Sequence, residues 1–395
     1  FLFRPGFISF GYEAKQSYLS ISGQQARGMF FFDCFKFLHR NTLHIKSVNG
    51  KEMKALKVFT EALRFLKDDV LKTINENITG MKFTASDFTW VLTVPDSCDP
   101  SAKPFMRGAA IQAGIVTDGN TDNLIFALES EAALAWCKKL PADGFITETR
   151  INLVGLVLIT FSVTDENIDF AVHEDLQGGR LKMLHRSSVN DLGGKSVDGK
   201  YKEFLREIFT DGVWDEYEKN YPTEVQRMMY EFSLLKKGDG DIQFCCPFNL
   251  GTLACKHQNI EQLFEGVEGA SWNEGLIKIS RNKLRSFFAQ SLQGITHNVR
   301  KIINKGFNIG CIWLVGEFAQ CVILRKHITD EFMEVCKVLC PFRPRESILN
   351  GAFLKSSFTY GIDVLCGFKA ENKYFTRFTV FQHLQYFCSS GFIIE

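Results

Sequence analysis

Glu129 follows an apolar run, Leu124 to Leu128, and precedes a stretch of small residues, Glu131-Ala132-Ala133-Leu134-Ala135. A carboxylate at such a strand–helix junction can orient a metal ion or water. It can equally supply negative charge to a helix N-terminus. Gly193-Gly194 either lets main chain approach a phosphate or simply makes a turn. Gly194-Lys195-Ser196 reads like the end of a P-loop, but the glycine required five positions before its final glycine is Val189, which excludes that motif. Lys236-Lys237 closes a helical stretch, where solvated cations suit the dipole. His173-Glu174 has no second histidine at ligand spacing and reads as structural. Cys336 and Cys340 share a helix face without matching histidines and read as ordinary thiols, and Arg281 to Arg285 reads as a solvated face.

The whole chain narrows these options. It has 395 residues, 45% hydrophobic and 23% charged, enough for two or more lobes. A net charge of +1 gives no electrostatic case for nucleic acid or an acidic membrane. Twelve cysteines without a C-x-x-C pair fit a reduced, cytoplasmic setting better than a disulfide framework. The longest apolar run, Ile151 to Val163, has 13 residues, too short for a bilayer and suited to a buried strand. The 38 phenylalanines are expected mostly in the core.

The positioning elements follow from periodicity. Residues 7–15 read as a strand turning at Gly11 into a helix, and a helix over 55–78 carries Leu56, Phe59, Leu63, Leu66, Val70, Leu71 and Ile74 on one stripe. Trp90 to Val94 is an apolar strand ending at Pro95. A helix with Phe105, Met106, Ala109, Ala110 and Ala113 follows, then the Leu124 strand and the Glu129 helix. A second set of strands runs 153–159, 168–174 and 181–185, followed by helices near 197–210, 223–237 and 281–304. A buried strand, Cys311 to Gly316, and a helix from Ile348 close the series. Two halves, before and after about residue 150, share a strand-turn-strand-then-helix order that suggests an ancient duplication.

Several phrases in order resemble the heat shock 70 kDa protein 12 family, an atypical branch of the 70-kDa heat-shock proteins within the actin-like ATPases. They are Phe10-Gly11-Tyr12-Glu13-Ala14, Phe32-Asp33-Cys34-Phe35-Lys36, Val48-Asn49-Gly50-Lys51, Val58 to Lys67, Trp90 to Pro95, Phe105-Met106-Arg107, Glu129 to Ala133, and Ile168 to Glu174. The resemblance runs from about Ile8 to about Gly361. It implies an α/β fold: a duplicated actin-like (ribonuclease H-like) ATPase of two lobes and four subdomains, with ATP and Mg in a cleft fed by glycine-rich hairpins. Residues 1–150 would form the first lobe with 30–83 inserted, and 151–361 the second with 196–305 inserted. A divergent tail of 362–395 leaves no room for the family's usual peptide-binding domain.

Carried over residue by residue, the resemblance places Glu129 at the water- or metal-orienting position and Lys36 near the γ-phosphate. Asp169, Gly193, Gly194, Lys236, Gly316 and Gly351 fall on cofactor-binding positions. The phosphate motifs depart from the family. The first hairpin is expected upstream of Phe1. The second, D-x-G-G-G-T in the family, reads Ser162-Val163-Thr164-Asp165-Glu166-Asn167. A carboxylate about 4 Å from a phosphate charge costs about 4 kcal/mol at an effective dielectric near ~20, about a thousandfold in affinity. The adenosine motif reads Val315-Gly316-Glu317-Phe318-Ala319, with its second glycine replaced. The adenine-side helix motif reads Phe232-Ser233-Leu234-Leu235-Lys236-Lys237, with its glutamate replaced by Ser233. The expectation is a non-hydrolysing binding or scaffold protein, related to chaperones, with no metal ligands. The alternative is an ATP-binding chaperone-type ATPase whose first hairpin precedes Phe1. A sugar or acetate kinase on the same fold is disfavoured. The sequence names no protein partner.

Overall fold

A computed structural model describes residues 2–4, 6–33, 44–78, 80–96, 98–146, 157–163, 167–176, 180–257, 259–359 and 392–394. The chain is mixed α/β and separates into two compact units. One comprises residues 1–16, 29–144 and 345–395, the other 17–28 and 145–344.

In the first unit, Trp90–Val94 and Leu124–Leu128 pair in parallel, Trp90 opposite Leu124 and Val94 opposite Leu128. The helix Ala102–Gln112 connects them. Phe392–Ile394 adds an antiparallel strand on the other side of Trp90–Val94. The helix Ala55–Asn77 buries Phe59, Leu63, Leu66, Val70 and Ile74 of the expected stripe, with Val58 and Ala62 beside them, and leaves Leu56 and Leu71 half-buried. Phe59 and Leu63 join Trp90, Leu92, Met106, Ala109 and Ala110 in one core cluster. Val58, Ala62 and Leu66 join Phe3, Phe10 and Phe32 in another. Phenylalanine does core filling here through edge and stacked contacts: Phe3 to Phe32 at 5.9 Å and Phe10 to Phe65 at 5.2 Å between ring centroids. The helix Ser347–Thr359, read from sequence as closing the second half, packs on Glu129–Cys137 and counts with the first unit.

The second unit is built on a five-stranded sheet. Leu181–Asn190, Asn167–Asp175 and Val157–Val163 form an antiparallel meander, and Ile309–Val315 and Lys337–Leu339 continue it in parallel. Residues 151–156 of the expected apolar run lie outside the described residues. Val157–Val163 is central and buried along nearly its whole length, which is why it reads as continuously apolar. The helices Gly194–Ile208 and Arg281–Ile303 pack together and share one core cluster with the sheet. A smaller sheet, Ile242–Cys245, Leu276–Ile279 and Ala270–Asn273, completes this unit. Among the described residues no helix is long and apolar enough to cross a membrane.

Candidate functional site

In the first unit the C-terminal ends of the two parallel strands carry the acids. Such ends are where α/β sheets gather functional side chains. Glu129, 0% exposed, opens the helix Glu129–Cys137 directly after its strand. Asp96, 2% exposed, stands just beyond the neighbouring strand and accepts hydrogen bonds from the Ser130 backbone N–H at 3.0 Å and from the Ser130 hydroxyl. The residue at the helix N-cap is Leu128, which has no side-chain acceptor, so Asp96 performs the capping from the adjacent strand. Glu129 adds an acidic residue to the first turn of that helix. Sequence reading missed Asp96. The available signal was an acid directly after the strand-ending Pro95.

Gly351 faces that same helix. A Cβ placed on it would lie 1.6 Å from the Ala132 carbonyl oxygen, so two helix backbones meet at this point. Its lack of a side chain serves helix packing. Lys36 lies outside the described residues.

The second unit brings together most of the other expected positions. Ser162 stands opposite Asp169 on one neighbouring strand and is paired with Val315 on the other, so the three lie at one end of the sheet. Both Ser162 and Asp169 are buried. Gly316 follows at φ +93°, and a Cβ there would meet the Val163 carbonyl oxygen at 2.5 Å. This glycine is required by its own backbone and by the strand beside it. Thr164 to Glu166, the substituted hairpin, lie outside the described residues.

Gly193 is the N-cap of Gly194–Ile208 and has no side chain with which to cap it. Lys236, only 4% exposed, donates to the Gly194 carbonyl at 2.8 Å and to Asp198 Oδ1 at 2.6 Å. The reading of Lys236 as a solvated helix-end cation is therefore corrected. It is a buried ammonium whose charge is met by Asp198, an acid on the helix Gly194–Ile208. Removing a charge from water is costly unless a partner and further hydrogen bonds compensate, and here both are present.

Lys237 takes a different path. Its Nζ donates to Gln320 Oε1 at 2.7 Å and lies 3.8 Å from Glu317 Oε1. Its carbonyl accepts from the Val322 N–H at 3.0 Å. The end of the helix Pro222–Leu235 is thus tied to the loop that follows Ile309–Val315. Ser233, in place of the expected glutamate, donates to the Tyr230 carbonyl in its own helix. The run Arg281 to Arg285, read as a solvated face, is anchored: both arginines bond the Asp239 carboxylate. These guanidinium bonds hold the Asp239 carboxyl well below the usual carboxylate range. Among the described residues, no group of three or more His, Cys, Asp or Glu is arranged to hold a metal ion.

No protein-family model matches the chain. Among curated proteins, Heat shock 70 kDa protein 12A of Homo sapiens is 25% identical over 433 residues, which cover 91% of this chain and 64% of that protein. Heat shock 70 kDa protein 12B of Homo sapiens is 26% identical over 435 residues, covering 91% of this chain and 63% of that protein. This chain is similar to the heat shock 70 kDa protein 12 proteins along most of its length. The resemblance carried by the short phrases is thereby borne out along most of the chain, which spans a little under two thirds of the length of those relatives. The Glu317 carboxylate, at the position where the resemblance leads one to expect a glycine, lies beside Lys237.

Proposed function

We propose that this heat shock 70 kDa protein 12 relative has a duplicated actin-like fold whose nucleotide site has decayed, and that it acts as a non-hydrolysing binding or scaffold protein. Two features support the fold reading. The second unit's strand order, an antiparallel meander continued by two parallel strands, is in keeping with a ribonuclease H-like lobe. Both units also contain a parallel strand pair bridged by a helix, through Ala102–Gln112 in one and Val322–Phe332 in the other.

The observation that carries the functional reading is the engagement of Lys236 and Lys237. One is buried against Asp198 and Gly194, and the other is held by Gln320 beside Glu317. Neither cation is left to meet an incoming ligand without breaking contacts already made. Asp165 and Glu166 add carboxylates where the family has phosphate-cradling glycines.

A second reading, an ATP-binding chaperone-type ATPase, draws on Glu129, a wholly buried acid at the family's water-orienting position. Thermal unfolding with and without Mg-ATP separates the two. A micromolar binder at millimolar nucleotide gains about 4 kcal/mol of stability. The degenerate-site reading expects an unchanged transition, and a clear rise in Tm would favour the second.

A further inference from the structure

Three cysteines gather in the smaller part of the second unit, away from the positions discussed above. Cys245 ends the strand Ile242–Cys245, Cys246 follows it, and Cys255 lies on the helix Phe248–His257. All three are free thiols. The strand alternates, with Ile242 and Phe244 buried and Gln243 and Cys245 exposed, so Cys245 stands on the outer face. Cys246, half-buried, turns instead toward the helix. Its Sγ lies 3.8 Å from the point where a Cβ on Gly251 would sit.

That contact fixes the geometry. Cys255 is one helical turn beyond Gly251, on the same face. Helical side chains lean toward the helix N-terminus and cover the preceding turn, and Cys255 lies near enough to Cys246 to act on its thiol electrostatically. With no side chain at 251, that position is shared by Ile260 Cδ1, 3.6 Å from it, and the Cys246 sulfur. We propose that Cys246 and Cys255 form a reversible intramolecular disulfide, and that Cys255 is the thiol through which a low-molecular-weight disulfide of the glutathione type reacts.

The chemistry balances in two exchanges. The Cys255 thiolate attacks the reagent's S–S bond, forming a mixed disulfide and releasing one glutathione thiolate. The Cys246 thiolate then attacks the Cys255 sulfur, the mixed S–S bond breaks, and the second glutathione thiolate leaves. Two protein thiols lose two protons and two electrons, and one disulfide reagent becomes two thiols. The order follows from access. Cys255 is exposed, whereas burial, with negative charge from Cys255 and Glu224, pushes the Cys246 thiol up to about 12. Cys246 is thus a poor first nucleophile that reacts only when the partner sulfur is brought to it.

The test treats the full chain with oxidised glutathione, alkylates the remaining thiols and maps them by mass spectrometry. Trypsin alone leaves all three cysteines on the peptide after Lys237 and ending at Lys256, so chymotryptic cleavage at the intervening Phe248 and Leu residues is added. The expected result is a peptide pair linked through Cys246 and Cys255, with Cys245 alkylated. Cys245→Ser should keep the link, and Cys246→Ser should trap Cys255 as the glutathione adduct. Mapping the wild-type chain does not depend on how the variants fold. Cys255 carrying glutathione beside an alkylated Cys246, a link through Cys245, or an unreacted Cys255 would each overturn the proposal.

Discussion

The Glu317 carboxylate lies 3.8 Å from the Lys237 ammonium, in the loop that follows the strand Ile309–Val315. Both side chains are about a third exposed. A pair this wet contributes little to folding, about 0.2–1 kcal/mol. Its consequence is local. A side chain and its charge occupy space that glycine leaves open, and the nearby cation is already engaged by Gln320.

Lys236 should behave very differently from its neighbour. Asp198→Ala would strand a buried ammonium, and breaking such a pair costs about 3–5 kcal/mol. Lys236→Met, which removes the charge and keeps the stem, should cost less, because Asp198 is the more exposed partner. Urea unfolding of the two variants checks this order. Equal losses would show that the pair itself, and not the desolvated ammonium, sets the cost.

Gly351→Ala should destabilise the first unit at or above the upper end of the ~1–3 kcal/mol typical of overpacked sites. The obstacle is the backbone of Ala132, which cannot rotate aside as a side chain can. Denaturant midpoints report this directly. A variant as stable as the wild type would mean that the two helices separate without cost.

Much of the scaffold could be read from residue order. Trp90 to Val94 announces itself as an apolar run halted by Pro95, and the Ala55–Asn77 helix by its stripe from Leu56 to Ile74. The phrases around Glu129 and Asp169 pointed to the correct relatives. What escaped were partnerships across distance in the chain. Asp96 caps a helix 34 positions later, and its place after the strand-ending Pro95 marks an acid without naming the helix that it caps. Lys236 at a helix end looks solvated until Asp198, 38 positions earlier, is seen beside it. Gly351 resembles a ligand glycine because tight helix packing and close ligand approach ask for the same missing Cβ.

Acid sensitivity should trace in part to Asp239. Its folded-state pKa is lowered by the hydrogen bonds from Arg281 and Arg285. The unfolded chain therefore binds the proton more readily, and the stabilisation is fully present above the ordinary carboxylate pKa near ~4. It is lost progressively as pH falls below that value toward the lowered one. Asp239→Asn should narrow its stability gap to the wild type below about pH 4 and keep it open at neutral pH. Urea midpoints across that range test it, and a gap that widens on acidification would contradict the assignment.

Calorimetric titration of the full chain with Mg-ATP, run beside Glu317→Gly, addresses the decayed site most directly. The account predicts no saturable heat for the unaltered chain up to millimolar nucleotide. Saturable binding at a micromolar Kd, about −8 kcal/mol, with Lys237 and Glu317 both in place, would contradict it.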